Sequence, residues 1–326
     1  MPQTPNTGRE ACDAELHDFF DKMSVPFELV TDDQIKAARK GISDTAASVQ
    51  HKYEVYGKLD HKLIKLKDTN KEPFELSVFT PKDKPAPAGG RPCLYFIHGG
   101  GFVTNNQYSG IDSIFPCIAD LNAVCVSINY NLAPESIAPN QMEQCYQGLV
   151  EFWNRYKDAG KINFDRLAVI GRSAGAALLV GLNLKIRERT KINIKCNIMS
   201  FPMLDDVCAT ESHKLFKKSP FLPSKTVKAC WKYCLKIPRK STKYTVPAKA
   251  TTEDLKNFPE TLVEIAEADV LRDEGSEFAA KLKSAGVRVA CNKFAGFHCF
   301  DGGAGGTKIG QNVKQMRLEF LKKQMA

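Results

Sequence analysis

The 326-residue sequence predicts an α/β fold: one domain with a mostly parallel sheet, helices on both of its faces and a helical cap. Two observations carry that expectation. From about residue 60 onward, apolar runs of strand length alternate with stretches of helical periodicity, as parallel strands joined by crossover helices do. One such run, Leu167 to Ile170, passes straight into Gly171-Arg172-Ser173-Ala174-Gly175. A serine between glycines at a strand-to-helix junction marks a sharp turn that exposes a nucleophilic hydroxyl.

The elements read in order as follows. Residues 1 to about 57 are strand-free; Thr31-Asp32-Asp33-Gln34 is a capping box, and Ile35, Ala38, Ile42 and Val49 roughly keep a helical period. Strands are expected at Leu63–Leu66, Phe74–Phe79, Cys93–Ile97 and Val124–Asn129, with a Pro/Gly/Ala loop from Lys84 to Pro92. Met142, Cys145, Leu149, Phe152 and Trp153 share one face of a helix from about Gln141 to Lys157, with Asn140 as its cap and Gly160 as its stop. The serine turn opens a helix reaching about Arg189, and Ile192–Phe201 reads as another strand. A basic, proline-punctuated segment, about 203–250, then interrupts the rhythm. It resumes with a strand at 261–266, a helix at 275–285, a strand at 287–294 and a helix at 308–323. The cap is expected from about 1–57 together with about 203–250.

Composition narrows the function classes. No apolar run approaches membrane-spanning length, and the acidic, polar first thirty residues do not read as a signal peptide. Eleven cysteines occur without a C-x-x-C pair, several inside strand-like runs where a thiol packs as a small hydrophobe. A reduced, cytoplasmic protein with no metal and no cofactor is the expectation. The net charge of +9 is concentrated: from Ser212 to Thr252 the chain carries Lys214, Lys217, Lys218, Lys225, Lys228 and further lysines, with no acidic residue. A solvated face is the preferred reading. An anionic membrane surface is the alternative, and no nucleic-acid motif accompanies the charge.

Three residues carry the expected chemistry. Ser173 is the candidate nucleophile, since a hydroxyl needs an adjacent base to attack a carbonyl. His298, just after the strand at 287–294, is the candidate base, because imidazole titrates near neutrality. Asp269, after the strand at 261–266, is the candidate that orients the imidazole; Asp273, Asp205 and Asp206 are its rivals. Serine, then aspartate, then histidine, each after a β-like run, is the order of an α/β-hydrolase fold. The triplet Gly99-Gly100-Gly101 ends another strand, and the amides of Gly100, Gly101 and Ala174 are the candidate oxyanion hole. Arg172 is a candidate substrate contact for an acidic group, with pairing to a nearby carboxylate as the preferred alternative. Cys299 is a candidate target of thiol reagents, with a buried, inert thiol as the other reading. Gly302 to Lys308 lacks the spacing of a phosphate loop.

These residues resemble the hormone-sensitive-lipase-like branch of the α/β hydrolases, which includes arylacetamide-deacetylase-like enzymes. His98-Gly99-Gly100-Gly101-Phe102 matches the HGGGF motif, Asn129-Tyr130-Asn131-Leu132-Ala133-Pro134-Glu135 resembles DYRLAPE, and Gly171-Arg172-Ser173-Ala174-Gly175-Ala176 is similar to GDSAGG. Ala268-Asp269-Val270-Leu271-Arg272-Asp273-Glu274-Gly275 looks like the element whose first aspartate completes the triad. The departures are Arg172 in place of an acidic residue, and Asn129 and Asn131 where Asp and Arg are common. The resemblance implies a serine carboxylesterase acting on small-molecule esters with short to medium acyl chains. A deacetylase or amidase acting on acetylated small molecules, or a non-catalytic ligand receptor on the same scaffold, are the alternatives. The sequence leaves oligomeric state unread.

Overall fold

Eight strands form one sheet in a computed structural model that describes residues 8–23, 26–236 and 241–326. They are β1 (Leu59–Lys67), β2 (Pro73–Pro81), β3 (Arg91–Ile97), β4 (Val124–Asn129), β5 (Ile162–Arg172), β6 (Cys196–Ser200), β7 (Glu260–Ala268) and β8 (Val289–Phe297). The order is β1-β2-β4-β3-β5-β6-β7-β8; β1, β2 and β4 pair antiparallel, and every pairing from β4 to β8 is parallel. The helices are α1 (His17–Lys22), α2 (Asp32–Lys40), α3 (Ala46–Tyr53), α4 (Phe115–Asp120), α5 (Asn140–Tyr156) and α6 (Ala174–Arg189). They continue with α7 (Glu211–Leu215), α8 (Ser224–Leu235), α9 (Arg272–Ser284), α10 (Phe300–Gly303) and α11 (Lys308–Met325). Among the described residues, no helix is long and apolar enough to cross a membrane.

The burial pattern explains the layering. β3 is buried at every position, as a central strand covered on both faces must be. Its Cys93, Tyr95 and Ile97 pack with Met142, Leu149 and Phe152 of α5, while Leu94 and Phe96 pack with Ile118 of α4 and Leu318 and Leu321 of α11. The period-2 alternation of one strand thus seats helices on both sides. β1, at the sheet edge, is mostly exposed and lysine-bearing, which discourages pairing with another chain.

Several expected boundaries shift. β1 begins at Leu59 rather than Leu63 because its polar residues still pair with β2 out to Pro81. β6 is shorter than Ile192–Phe201: Ile192 and Ile194 are buried beside the strand without joining the ladder. β8 runs on to Phe297 rather than stopping at Phe294. Between Ala266/Phe294 and Ala268/Phe297 the pairing of β7 and β8 slips by one residue, with the extra residue on β8. Such bulges re-aim side chains at strand ends. The N-terminal segment braces it, the Asp13 amide donating to the Ala295 carbonyl at 2.7 Å.

The two segments flanking the regular alternation meet each other. The Thr31 capping box forms, its hydroxyl accepting from the Gln34 amide. The Phe27 amide donates to Pro220, the Leu29 amide to the Thr226 hydroxyl, and Tyr233 of α8 to Asp32 of α2. Arg39 of α2 reaches down to the Val103 and Ala133 carbonyls and pairs with Glu135, so this layer is tied to the sheet below.

Candidate active site

Strand β5 ends in a turn that few sequences can make. Ser173, at φ 52 and ψ −120, sits in a backbone region that L-residues rarely occupy, at a cost of about 1–3 kcal/mol. Its neighbours make the turn possible: a Cβ on Gly171 would lie 2.6 Å from the Gly175 carbonyl oxygen, and one on Gly175 would lie 2.2 Å from that of Ile97. The turn is then locked from both sides. The Ser173 amide donates to Ser200 at 2.8 Å, and its carbonyl accepts from Met203 at 3.2 Å.

The shifted register of β7 and β8 sets the other two groups. Ala268 faces Phe297, so the next residues, Asp269 and His298, leave the two strand ends side by side. Phe297 stacks on Phe221 with ring centres 3.6 Å apart and meets Phe20 and Phe300 edge-on, which anchors the residue before His298. His298 Nδ1 donates to Asp269 Oδ2 at 2.6 Å, and its Nε2 accepts from Ser173 Oγ at 3.0 Å. The other oxygen of Asp269 accepts from the Leu271 amide at 3.0 Å. Burial disfavours a charged imidazole, but the adjacent Asp269 carboxylate outweighs it and holds His298 above the ordinary histidine range. The rival carboxylates lie elsewhere. Asp273 accepts from the Ser212 amide and Arg272, Asp205 from the Val207 amide, and Asp206 from Ser241.

Gly100 and Gly101 line the same cavity as Ser173. Gly100 has φ 103, and a Cβ there would lie 2.3 Å from the Thr104 carbonyl oxygen, so this loop requires glycine. Ala174 is the first residue of α6, where an amide has no partner inside its own helix. Two side chains shape the loop from beneath. His98 donates from Nδ1 to the Gly99 carbonyl at 2.8 Å and stacks on Tyr130 at 4.2 Å, while the Tyr130 hydroxyl donates to the His98 carbonyl at 3.0 Å. Burial pushes His98 down to about 4, so it is a neutral strut and not a base.

Arg172, expected as a substrate contact or a carboxylate partner, meets a carboxylate. Its guanidinium holds Asp301 in two bonds of 2.6 and 2.9 Å and also donates to the Cys299 carbonyl. Burial disfavours the charge of Asp301, yet Arg172 and Arg317 together keep its carboxyl well below the usual carboxylate range. Arg317 continues the chain to Glu264 at 2.6 Å, and Glu264 accepts from the Ser200 hydroxyl at 2.5 Å. Two cations and two anions therefore neutralise each other beneath the site, linking the serine turn, the histidine loop, β7 and α11. Sequence reasoning did not find Asp301, Arg317, Glu264 or Tyr130. The first three are far apart in the chain, and an unusual Arg172 was the only signal that a buried partner must exist.

The cavity over Ser173 has a volume of about 170 Å³ and is walled by Phe27, Leu29, Met203, Phe221, Leu222 and Val227. A larger cavity lies elsewhere among the described residues, but this one contains the serine, the imidazole and the glycine loop.

Comparison with known proteins agrees with this fold. Residues 94–301 match the alpha/beta hydrolase fold family. Vegetative-specific protein H5 of Dictyostelium discoideum is 33% identical over 203 residues, covering 60% of this chain and 59% of that protein, so the match spans about three fifths of that relative. Arylacetamide deacetylase of Oryctolagus cuniculus is 28% identical over 310 residues, covering 75% of this chain and 76% of that enzyme. A solved structure titled bacterial heroin esterase shares the fold at TM-score 0.85 and 24% identity, over 98% of this chain and all of that one. The chain belongs to the α/β hydrolases, in their hormone-sensitive-lipase-like branch.

Proposed function

We propose that this protein is a serine carboxylesterase that cleaves small-molecule esters through an acyl-enzyme. The hydrogen-bonded run from Ser173 through His298 to Asp269 is the observation that carries the reading. His298 takes the Ser173 proton as the hydroxyl oxygen attacks the ester carbonyl, and Asp269 stabilises the imidazolium that results. The amides of Gly100, Gly101 and Ala174 receive the oxyanion, each such donor contributing typically about 10²–10³-fold in rate. Collapse of the tetrahedral intermediate breaks the ester bond, and His298 gives its proton to the leaving alkoxide. Water, deprotonated by the same imidazole, then releases the acid and restores the serine. The chemistry calls for no cofactor.

A cavity of about 170 Å³ compares with the roughly 150 Å³ that holds a benzene ring in an engineered protein core, which favours short over long acyl chains. The segments 1–57 and 203–250 act in this reading as the cap, since Phe27, Leu29, Phe221, Leu222 and Val227 supply its apolar wall. Arg172 serves the scaffold, its charge being held by Asp301. The test is a p-nitrophenyl ester series of increasing acyl length, with matching anilides, run beside Ser173→Ala. Turnover highest for the shortest esters, and lower by at least about 10⁴-fold in the variant, is expected. Ester turnover unchanged in Ser173→Ala would refute the mechanism, and anilides cleaved faster than esters would make the protein an amidase.

A further inference from the structure

A cavity larger than the one over Ser173 lies among the described residues. It is a cleft of about 1160 Å³ on the other side of the wall formed by residues 26–29 and α8. The extended segment alternates: Phe27 and Leu29 line the serine cavity, while Pro26 and Glu28 line the cleft. Five lysines surround it, Lys214, Lys217, Lys218, Lys225 and Lys228, and all are exposed. Lys225 is paired with Glu28 and Lys214 with Glu211. Lys217, Lys218 and Lys228 have no carboxylate within ion-pair distance among the described residues. Between the cations the apolar part of the lining is Pro26, Val207, Cys208, Ala209 and Pro223, with Val207 65% exposed.

We infer that this face docks on an anionic phospholipid surface, with Val207 entering the interface and the free lysines meeting the headgroups. Three features favour a membrane over other anions. The cleft offers no buried donor to read an individual small molecule: both ring nitrogens of His213 on its floor are taken, by Ser224 and Glu274. Its lining carries no arginine, Phe, Tyr or Trp, which nucleic-acid grooves use for bidentate contacts and stacking. An exposed aliphatic tip among unpaired lysines is what an interfacial site combines, apolar burial adding to attraction by the negative surface. Because residues 26–29 and α8 wall both spaces, docking sets the bilayer against the outer side of the wall that bounds the serine cavity.

The experiment is co-sedimentation of the full chain with phosphatidylcholine vesicles, with and without phosphatidylserine. Binding is expected only with phosphatidylserine, and is expected to be lost near about 1 M salt, where screening shortens the reach of surface charge to roughly 3 Å. The combined variant Lys217→Gln, Lys218→Gln and Lys228→Gln should bind about 100-fold more weakly, from roughly fivefold per lysine near such a surface. Val207→Asp should weaken binding without touching any lysine. Turnover of soluble p-nitrophenyl acetate without vesicles should change by less than about twofold in all these variants, which also reports that they fold. Ser173→Ala must still bind vesicles, so failure of the esterase reading and failure of this one are separable. Wild-type protein left in the supernatant with phosphatidylserine at low salt overturns the inference. So does undiminished binding by the triple variant, or capture by polynucleotide but not by vesicles.

Discussion

Replacing Asp301 with asparagine removes one charge from a buried set of four and leaves the shape almost unchanged. Arg172 then has no carboxylate within ion-pair distance among the described residues, while Arg317 keeps Glu264 at 2.6 Å. The side chains of Asp301 and Arg317 are fully buried and that of Arg172 is 8% exposed, so water can reach the lost partner's place only from the edge of Arg172 that lines the serine cavity. Removing one member of a buried pair costs about 3–5 kcal/mol, a large part of the roughly 5–15 kcal/mol that holds a domain folded. Urea unfolding of Asp301→Asn against wild type measures this. Adding Arg172→Met to Asp301→Leu removes both charges and should recover most of the loss, which separates an orphaned cation from a packing defect. The pH dependence has a definite sign: a carboxyl held well below its ordinary value when folded stabilises fully above about pH 4 and loses that contribution as acid protonates it. Because Arg172 also holds the Cys299 carbonyl, kcat should fall with stability as the His298 loop loosens. A stability loss below about 1 kcal/mol, as for a surface pair, would refute the reasoning.

Two further outcomes are expected. Asp269 holds His298 above the ordinary histidine range, and the base must be neutral, so kcat/KM should rise with pH through a midpoint above about 6.5. Asp269→Asn should move that midpoint down and lower kcat by up to about 10⁴-fold; an unmoved midpoint would exclude the pairing as its cause. All eleven cysteines are free, and only Cys291 and Cys299 are not buried. Cys299 Sγ lies 3.5 Å from His298 Nε2, so a maleimide should abolish turnover in wild type and in Cys291→Ala but spare Cys299→Ala, read by residual activity after labelling.

The elements that local rules govern were legible in the chain. The continuous apolar run of β3, the amphipathic stripe of α5 and the Thr31 capping box each depend on neighbours within a turn or a strand. The serine turn was legible for the same reason, since Gly171 and Gly175 relieve contacts made within a few residues and with one adjoining strand. The edge strand β1 was underestimated because its exposed polar residues carry no apolar signal, although the backbone pairs throughout.

By itself the sequence determined the fold class, the order of the three chemical groups and the glycine loop beside them, because covalent geometry and short-range periodicity suffice for these. Only the tertiary structure decided which carboxylate meets His298, through a one-residue slip between β7 and β8 that no local pattern announces. It alone paired Arg172 with Asp301, 129 residues away, and gathered five lysines of the basic segment around one cleft; Arg239 and Lys240 of that segment lie outside the described residues. The physical reason is one of range. A turn or a helix is stabilised by residues close along the chain, whereas a buried charge takes its partner from whatever distant strand or helix packing brings against it.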